Sequence, residues 1–229
     1  MGLTRGVLVD IEGTTTPIAF VHRVLFPYAR ARLAAFVTAH GGRPEVAAEL
    51  AEVRRLHPSA DPVATLLGWM AADAKVTPLK ALQGLIWADG YAAGELQGEV
   101  YPDVAPALRA WHAGGIRLFV YSSGSAVAQR LIFGHSTAGD LAGLFDGFYD
   151  TRVGPKRAAA SYDRIAIAAG IPAAGLLFLS DVGAELDAAA GAGLQTCQLV
   201  RAEDGTVAAP GHAVARDLAS VTALFGLPG

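Results

Sequence analysis

The chain has 229 residues, 52% of them hydrophobic and 17% charged, with a formal net charge of -3. This length and composition suit one large domain or two small ones around a sizeable core, and they exclude global disorder. The small negative charge excludes a polybasic surface, so neither nucleic acid nor membrane is expected as a partner.

Taken in chain order, the N-terminus "MGLTRGVLVD" lacks the long apolar stretch of a signal peptide. No run approaches the ~20 apolar residues of a membrane-spanning helix, so a cytoplasmic protein is expected. The first element is a short apolar run, "GVLVD" (6–10), which reads as a buried strand. It ends in Asp10, and Glu12, Gly13 and three threonines follow. From 17 to 100 the pattern turns helical: "PIAFVHRVLFPYARARLAAFVTAH", "PEVAAELAEVRRL", "DPVATLLGWMAADAKV" and "PLKALQGLIWADGYAAG", several opened by proline near the first turn. That stretch predicts an inserted helical domain, leaving 1–16 and 101–229 as the core.

Pro102 and Asp103 lead through an amphipathic helix, "VAPALRAWHAGG", to a second strand, "IRLFVYSS" (116–123). Further runs at 176–181 ("LLFLSD") and 194–200 ("LQTCQLV") also read as buried strands. Helical patterns at 124–133, 156–170 and 184–193 separate the last three strands. Strand–helix–strand order with this spacing predicts an α/β fold with a doubly wound parallel sheet. The single cysteine, Cys197, excludes an internal disulfide and a multi-cysteine metal site, and reads as a core filler. The six histidines show no paired spacing for zinc.

In such a sheet ligands bind beyond the carboxyl ends of the strands. The first strand ends in Asp10 and Glu12, the second in Ser122, Ser123 and Gly124, the third in Ser180 and Asp181, and Lys156 opens the helix before that third strand. Each alone has an ordinary reading: a cap, a loop, a solvated lysine. Converging at one edge, they would bind a hard divalent cation and a phosphoryl group, and carboxylate oxygens suit Mg²⁺.

Asp10 in "DIEGTT", Ser122 in "YSSGS", Lys156 and "SD" at 180–181 resemble the four motifs of the haloacid dehalogenase-like phosphohydrolases. That superfamily has D-x-D in its first motif, whereas the second carboxylate here is Glu12. With "DIEGTTTPIAFVHRVLFPYAR", "YSSGSAVAQRLIFGHSTAGDL", "YDTRVGPK" and "FLSDVGAELDAA", the chain from about 7 to 200 looks like the enolase-phosphatases of methionine salvage. The resemblance implies a Rossmann-like core with an all-helical cap, one Mg²⁺ per subunit and a monomer. It also implies a small phosphorylated substrate, 2,3-diketo-5-methylthiopentyl-1-phosphate, enolised and then dephosphorylated to 1,2-dihydroxy-3-keto-5-methylthiopentene. By motif, Asp10, Glu12 and Asp181 match the magnesium positions, and Ser122, Ser123 and Lys156 the substrate-binding positions.

Within that resemblance Asp10 is the expected nucleophile, Mg²⁺ and Lys156 offset phosphoryl charge, and Ser122 with the amides around Ser123 and Gly124 donates to the same oxygens. Glu12 is the candidate proton shuttle, or else serves the metal through its backbone carbonyl. Glu185 reads either as a supporting carboxylate or as a solvated helix residue. Lys80, Gln83, Gly84 and Trp87 share one helix face. Either Lys80 and Gln83 close over the diketone while Trp87 or Phe20 packs the methylthio group, or Trp87 faces the helical core and Lys80 is solvated. His135, in "FGHS", is expected to form a structural hydrogen bond. The competing readings are a phosphatase of another small ester, a dehalogenase, a phosphonate hydrolase with Lys80 as a Schiff base, and a non-catalytic phosphate binder.

Overall fold

The computed structural model describes residues 3–74 and 76–229. In chain order it runs β1 (Gly6–Val9), α1 (Ile18–Phe20), a π turn (Val21–Leu25), α2 (Phe26–His40), α3 (Pro44–Leu56), α4 (Pro62–Ala71) and α5 (Thr77–Ala92). It continues with α6 (Val104–Ala113), β2 (Arg117–Tyr121), α7 (Ala126–Gly134), β3 (Gly147–Tyr149) and α8 (Ala159–Ala169). The chain closes with β4 (Leu176–Ser180), α9 (Gly183–Gly191), β5 (Gln195–Leu199), β6 (Ala213–Ala215) and α10 (Leu218–Phe225). Contacts divide it into two compact units: residues up to Ile18 with Gln97–Gly229, and Ala19–Leu96.

The first unit is a six-stranded sheet in the order β3-β2-β1-β4-β5-β6, and every pairing is parallel. This is a Rossmann-like, doubly wound order that reverses between β1 and β4. Register aligns Leu8 with Phe119 and Phe178, and these join Tyr162, Ile165 and Leu186 in one core cluster. Strand side chains alternate, so Val7 and Val9 face the opposite side, and they too are fully buried. Burial on both faces is why β1 and β4 carry unbroken apolar runs. Each such side chain contributes about 1.5–3 kcal/mol. On α6, Trp111 is fully buried and donates its indole N–H to Thr222 Oγ1 of α10 at 2.9 Å.

The second unit is all helical. Ala29, Leu33, Val46, Leu50, Leu66, Leu82 and Ile86 form its core. The stretch from Pro17 that reads helical contains the π turn Val21–Leu25 just ahead of Pro27. Proline has no N–H for the i→i−4 ladder, and a widened turn accommodates it. Trp87 donates its indole N–H to the Leu25 carbonyl at 2.8 Å and stacks on Phe26. Among the described residues no helix is long and apolar enough to cross a membrane.

The structure adds two strands and corrects one helix start. The strands β3 and β6 had no counterpart in the sequence pattern. The helix expected from Lys156 begins at Ala159 instead, which leaves Lys156 in a turn. Side chains hold that turn: Ser161 Oγ donates to the Pro155 carbonyl at 2.8 Å and Tyr162 Oη to the Lys156 carbonyl at 2.7 Å.

Candidate active site

β1 delivers Asp10 to the carboxyl edge of the sheet, where the strand order reverses. Its backbone N–H donates to the Leu179 carbonyl of β4 at 2.9 Å, so the residue is fixed before its side chain is considered. The following loop is compact. Thr14, Thr15 and Thr16 all donate their amides to the Ile11 carbonyl, and Thr15 Oγ1 donates to the Asp10 carbonyl at 2.9 Å. Gly13 turns the chain at φ +68°, and a Cβ there would stand 2.5 Å from Asp181 Oδ2. A glycine is therefore needed both for the backbone conformation and for the close approach of that carboxylate.

Asp10 Oδ1 accepts the Ile11 N–H at 2.7 Å. Lys156 Nζ lies 2.7 Å from Asp10 Oδ2 and 2.6 Å from Glu185 Oε2. Ser180 Oγ is 3.1 Å from the same two oxygens and accepts the Val182 N–H. One hydroxyl proton serves only one carboxylate at a time, so Ser180 links the pair by alternating between them. Glu185 is thus a direct partner of the lysine rather than a solvated helix carboxylate. The Lys156 turn itself hangs from β2 and α8. Tyr121 Oη donates to the Gly154 carbonyl at 2.9 Å, and Arg164 Nη1 donates to the Val153 carbonyl at 2.8 Å.

The charges are strongly coupled. Burial lowers the Lys156 ammonium, but Asp10 and Glu185 outweigh it and the net shift is upward. Burial, then the charge of Asp10, raises Glu185. Burial and Asp10 also push Asp181 up to about 7. Lys156 supplies one ammonium to this group, so full ionisation of Asp10, Asp181 and Glu185 would leave two negative charges without a cation. A divalent cation fits that deficit, and the oxygen donors suit a hard ion. Among the described residues, no three His, Cys, Asp or Glu side chains are grouped to hold one metal. Asp10, Glu12 and Asp181 are therefore not grouped as three side-chain ligands, and the expectation that left Glu12 its backbone carbonyl does not require them to be. Glu12 sits in the turn after Asp10, its backbone bridging to Thr16.

At the end of β2, Ser122 is buried and its Oγ accepts the Gly124 N–H at 3.3 Å. Gln129 Nε2 braces this turn by donating to the Gly124 and Tyr149 carbonyls, both at 2.8 Å. Ser123 is exposed.

The model of the haloacid dehalogenase-like hydrolases matches residues 4–193. Enolase-phosphatase E1 of Acidiphilium cryptum is 60% identical over 222 residues, 97% of this chain and 96% of its own. That of Granulibacter bethesdensis is 57% identical over 229 residues, 100% of this chain and 99% of its own. The chain belongs to the enolase-phosphatases, within the haloacid dehalogenase-like hydrolases. Among solved structures, the UTR4 protein of Saccharomyces cerevisiae superposes with a TM-score of 0.78 at 35% identity, over 93% of this chain and 98% of that one. CbbY of Rhodobacter sphaeroides, at 18% identity and TM-score 0.63 over 96% of each chain, shares the fold.

Set against this family, the structure brings Asp10, Lys156, Ser180 and Glu185 into direct contact and places Asp181 against Gly13. Lys80 and Gln83 lie on α5 of the helical unit, where Gln83 and Gly84 are buried. Trp87 packs against the core of that unit through its contacts to Leu25 and Phe26, and Phe20 is buried. Sequence reasoning missed Thr15 as the residue that pins the Asp10 carbonyl. It also missed Asp150, buried, whose carboxylate accepts the amides of Ala126 and Arg152.

Proposed function

We propose that this chain is an enolase-phosphatase that converts 2,3-diketo-5-methylthiopentyl-1-phosphate to 1,2-dihydroxy-3-keto-5-methylthiopentene and phosphate, with one Mg²⁺ per subunit, and acts as a cytoplasmic monomer. The observation that carries the reading is end-to-end likeness to curated enolase-phosphatases at 57–60% identity. The buried cluster around Asp10 supports it by supplying the required chemistry.

Asp10 is the nucleophile. A carboxylate oxygen forms a bond to phosphorus, the bond from phosphorus to the substrate oxygen breaks, and water then hydrolyses the aspartyl-phosphate. The Ile11 amide and Lys156 fix the carboxylate's orientation. Lys156 turns its ammonium toward the transferring phosphoryl oxygens, where developing charge is stabilised without reorganisation. The Ser122 hydroxyl and the Ser123 and Gly124 amides bind the same group. Asp10 and Asp181 would hold the metal, with the Glu12 backbone carbonyl as a further oxygen. When bound, Mg²⁺ supplies Lewis-acid polarisation and charge neutralisation. Glu12 moves the proton that leaves carbon 1 of the substrate, beside the carbonyl. Lys80 and Gln83 bind the diketone, and the helical unit selects the substrate.

The test follows phosphate release and the ultraviolet absorbance of the enediol together, for wild type and Asp10→Asn with Mg²⁺. Both signals with wild type, and loss of phosphate release in Asp10→Asn, are expected. Cleavage of a simple phosphate ester with neither signal on the diketone would refute the substrate assignment. A wild-type enolisation rate in Glu12→Gln would remove Glu12 from the proton step.

A further inference from the structure

The stretch beyond residue 200 carries little sequence signal, yet it sends one buried cation to the loop that follows Asp10. Arg201 follows β5 and is 3% exposed. Its guanidinium grips Asp103 with both forks, Nη1 to Oδ1 at 2.8 Å and Nη2 to Oδ2 at 3.0 Å. Nη2 also donates to the Thr14 carbonyl at 2.9 Å, and the guanidinium lies 4.0 Å over the Tyr101 ring. Tyr101 donates its own amide to the Thr15 carbonyl at 3.1 Å, and its hydroxyl to Asp204. Asp204 in turn accepts the Ile18 amide, and Asp103 accepts the Leu218 amide at 2.7 Å.

The consequence is directional. The amides of Thr14, Thr15 and Thr16 are spent inward on Ile11, so the carbonyls of Thr14 and Thr15 are what the loop offers to the rest of the sheet unit. Arg201 takes one and Tyr101 the other. The loop that begins at Asp10 is therefore hung between β1 and a tether built from two distant segments, 101–103 and 201–204. A buried arginine with a bidentate carboxylate fixes planar geometry that a lysine cannot reproduce. None of these groups touches the Asp10 carboxylate.

We propose that Arg201, held by Asp103 and stacked on Tyr101, is a positioning residue for phosphoryl transfer: it fixes the Thr14 carbonyl and through it the placement of Asp10. This rests on Asp10 being the nucleophile. Small displacements of a reacting group cost up to about a hundredfold in rate. Arg201→Met lowers kcat toward that limit with KM within about threefold, since no substrate contact is removed. Arg201→Lys, which keeps the charge but not the fork, recovers part of the loss, and Tyr101→Phe, which keeps the ring and amide, loses less than either.

The experiment pairs kinetics well below each variant's Tm with hydrogen exchange read on the segment 10–18. Faster exchange at Thr14–Thr16, with the β2 segment unchanged and kcat reduced, is the expected result. Two results overturn the proposal: wild-type kcat in both Arg201 variants despite a lowered Tm, or reduced kcat with unchanged exchange in 10–18. If Arg201→Met is insoluble, Arg201→Lys carries the same comparison. Asp10→Asn is run alongside. Phosphate release retained there refutes the nucleophile assignment, while the exchange at Thr14–Thr16 still reports on the tether.

Discussion

Replacing Lys156 by methionine keeps the aliphatic stem and removes the ammonium between Asp10 and Glu185. Both contacts are short, 2.7 and 2.6 Å, and the three side chains are only 6–12% exposed, so water cannot take over. Removing one partner of a buried ion pair costs about 3–5 kcal/mol, because the other charge stays buried. Here two carboxylates lose their partner, and Ser180 can donate to only one of them. At about 2–4 °C per kcal/mol for a chain of this size, even the low end lowers Tm by about 6–12 °C. The rate falls as well. Loss of one preorganised charge-stabilising group in a dry site costs about 10²–10³ in kcat. The assay combines thermal melts in chelator, which isolate the protein's own electrostatics, with phosphate release at saturating Mg²⁺. A variant that melts within about 2 °C of wild type would show that the three groups are not coupled as their distances require. A variant that keeps kcat within about threefold would show that the ammonium does not face the reacting phosphoryl group.

Other predictions concern the same cluster and the sheet behind it. Glu185→Gln leaves the Lys156–Asp10 pair and costs about 1.5–3 kcal/mol, less than Lys156→Met in parallel urea titrations. Gly154→Ala forces a Cβ to 2.3 Å from Ser161 Oγ at a φ of +140°. It should lose about 1–3 kcal/mol and lower kcat, because that turn carries Lys156, and an unperturbed melt would contradict the close approach. Chelator should abolish phosphate release and Mg²⁺ restore it, and activity persisting in chelator would exclude the metal. Burial pushes the Cys197 thiol up to about 12, against about 8.5 in an unfolded chain. The folded state therefore binds more protons between about pH 9 and 12, and stability falls as pH rises through that window. Cys197→Ala lacks this slope, so parallel alkaline unfolding profiles for the two proteins would refute the shift.

The parts of the fold legible in the sequence were those with a local physical signature. The runs at 6–10, 116–123, 176–181 and 194–200 became β1, β2, β4 and β5 within about two residues at each end, because strands covered on both faces need continuous apolar side chains. Proline at the first turn marked the starts of α3, α4 and α5. β3 and β6 have three residues each, and β6 is largely exposed, so no apolar run announced them. Asp10 and Asp181 stood out because each follows an apolar strand run, and Lys156 because it precedes a helical pattern. The dual partnership of Lys156 was not, since it depends on a turn built by Tyr121, Ser161 and Tyr162. Arg201 was not legible either. Its partners Asp103 and Thr14 lie 98 and 187 residues away in sequence, and no periodicity carries that information.

The placement of the cluster follows from the sheet. β1 lies between β2 and β4 and is buried on both faces, so the first residue that can leave the sheet at its carboxyl edge is Asp10. The strand order reverses there, opening the crevice in which α/β folds bind ligands. A carboxylate at that edge is only 5% exposed and cannot rely on solvent. It needs an amide, a hydroxyl and a cation, and the fold supplies these from Ile11, Ser180 and Lys156, each on a different segment or turn. Such fixed partners are what transition-state stabilisation requires, because they need no rearrangement when charge moves. The same arrangement leaves Asp181 with a raised pKa and leaves excess negative charge beside Gly13. Clustered carboxylates at this edge are what the proposed reading needs, because it places a divalent ion and a phosphoryl group where negative charge is concentrated.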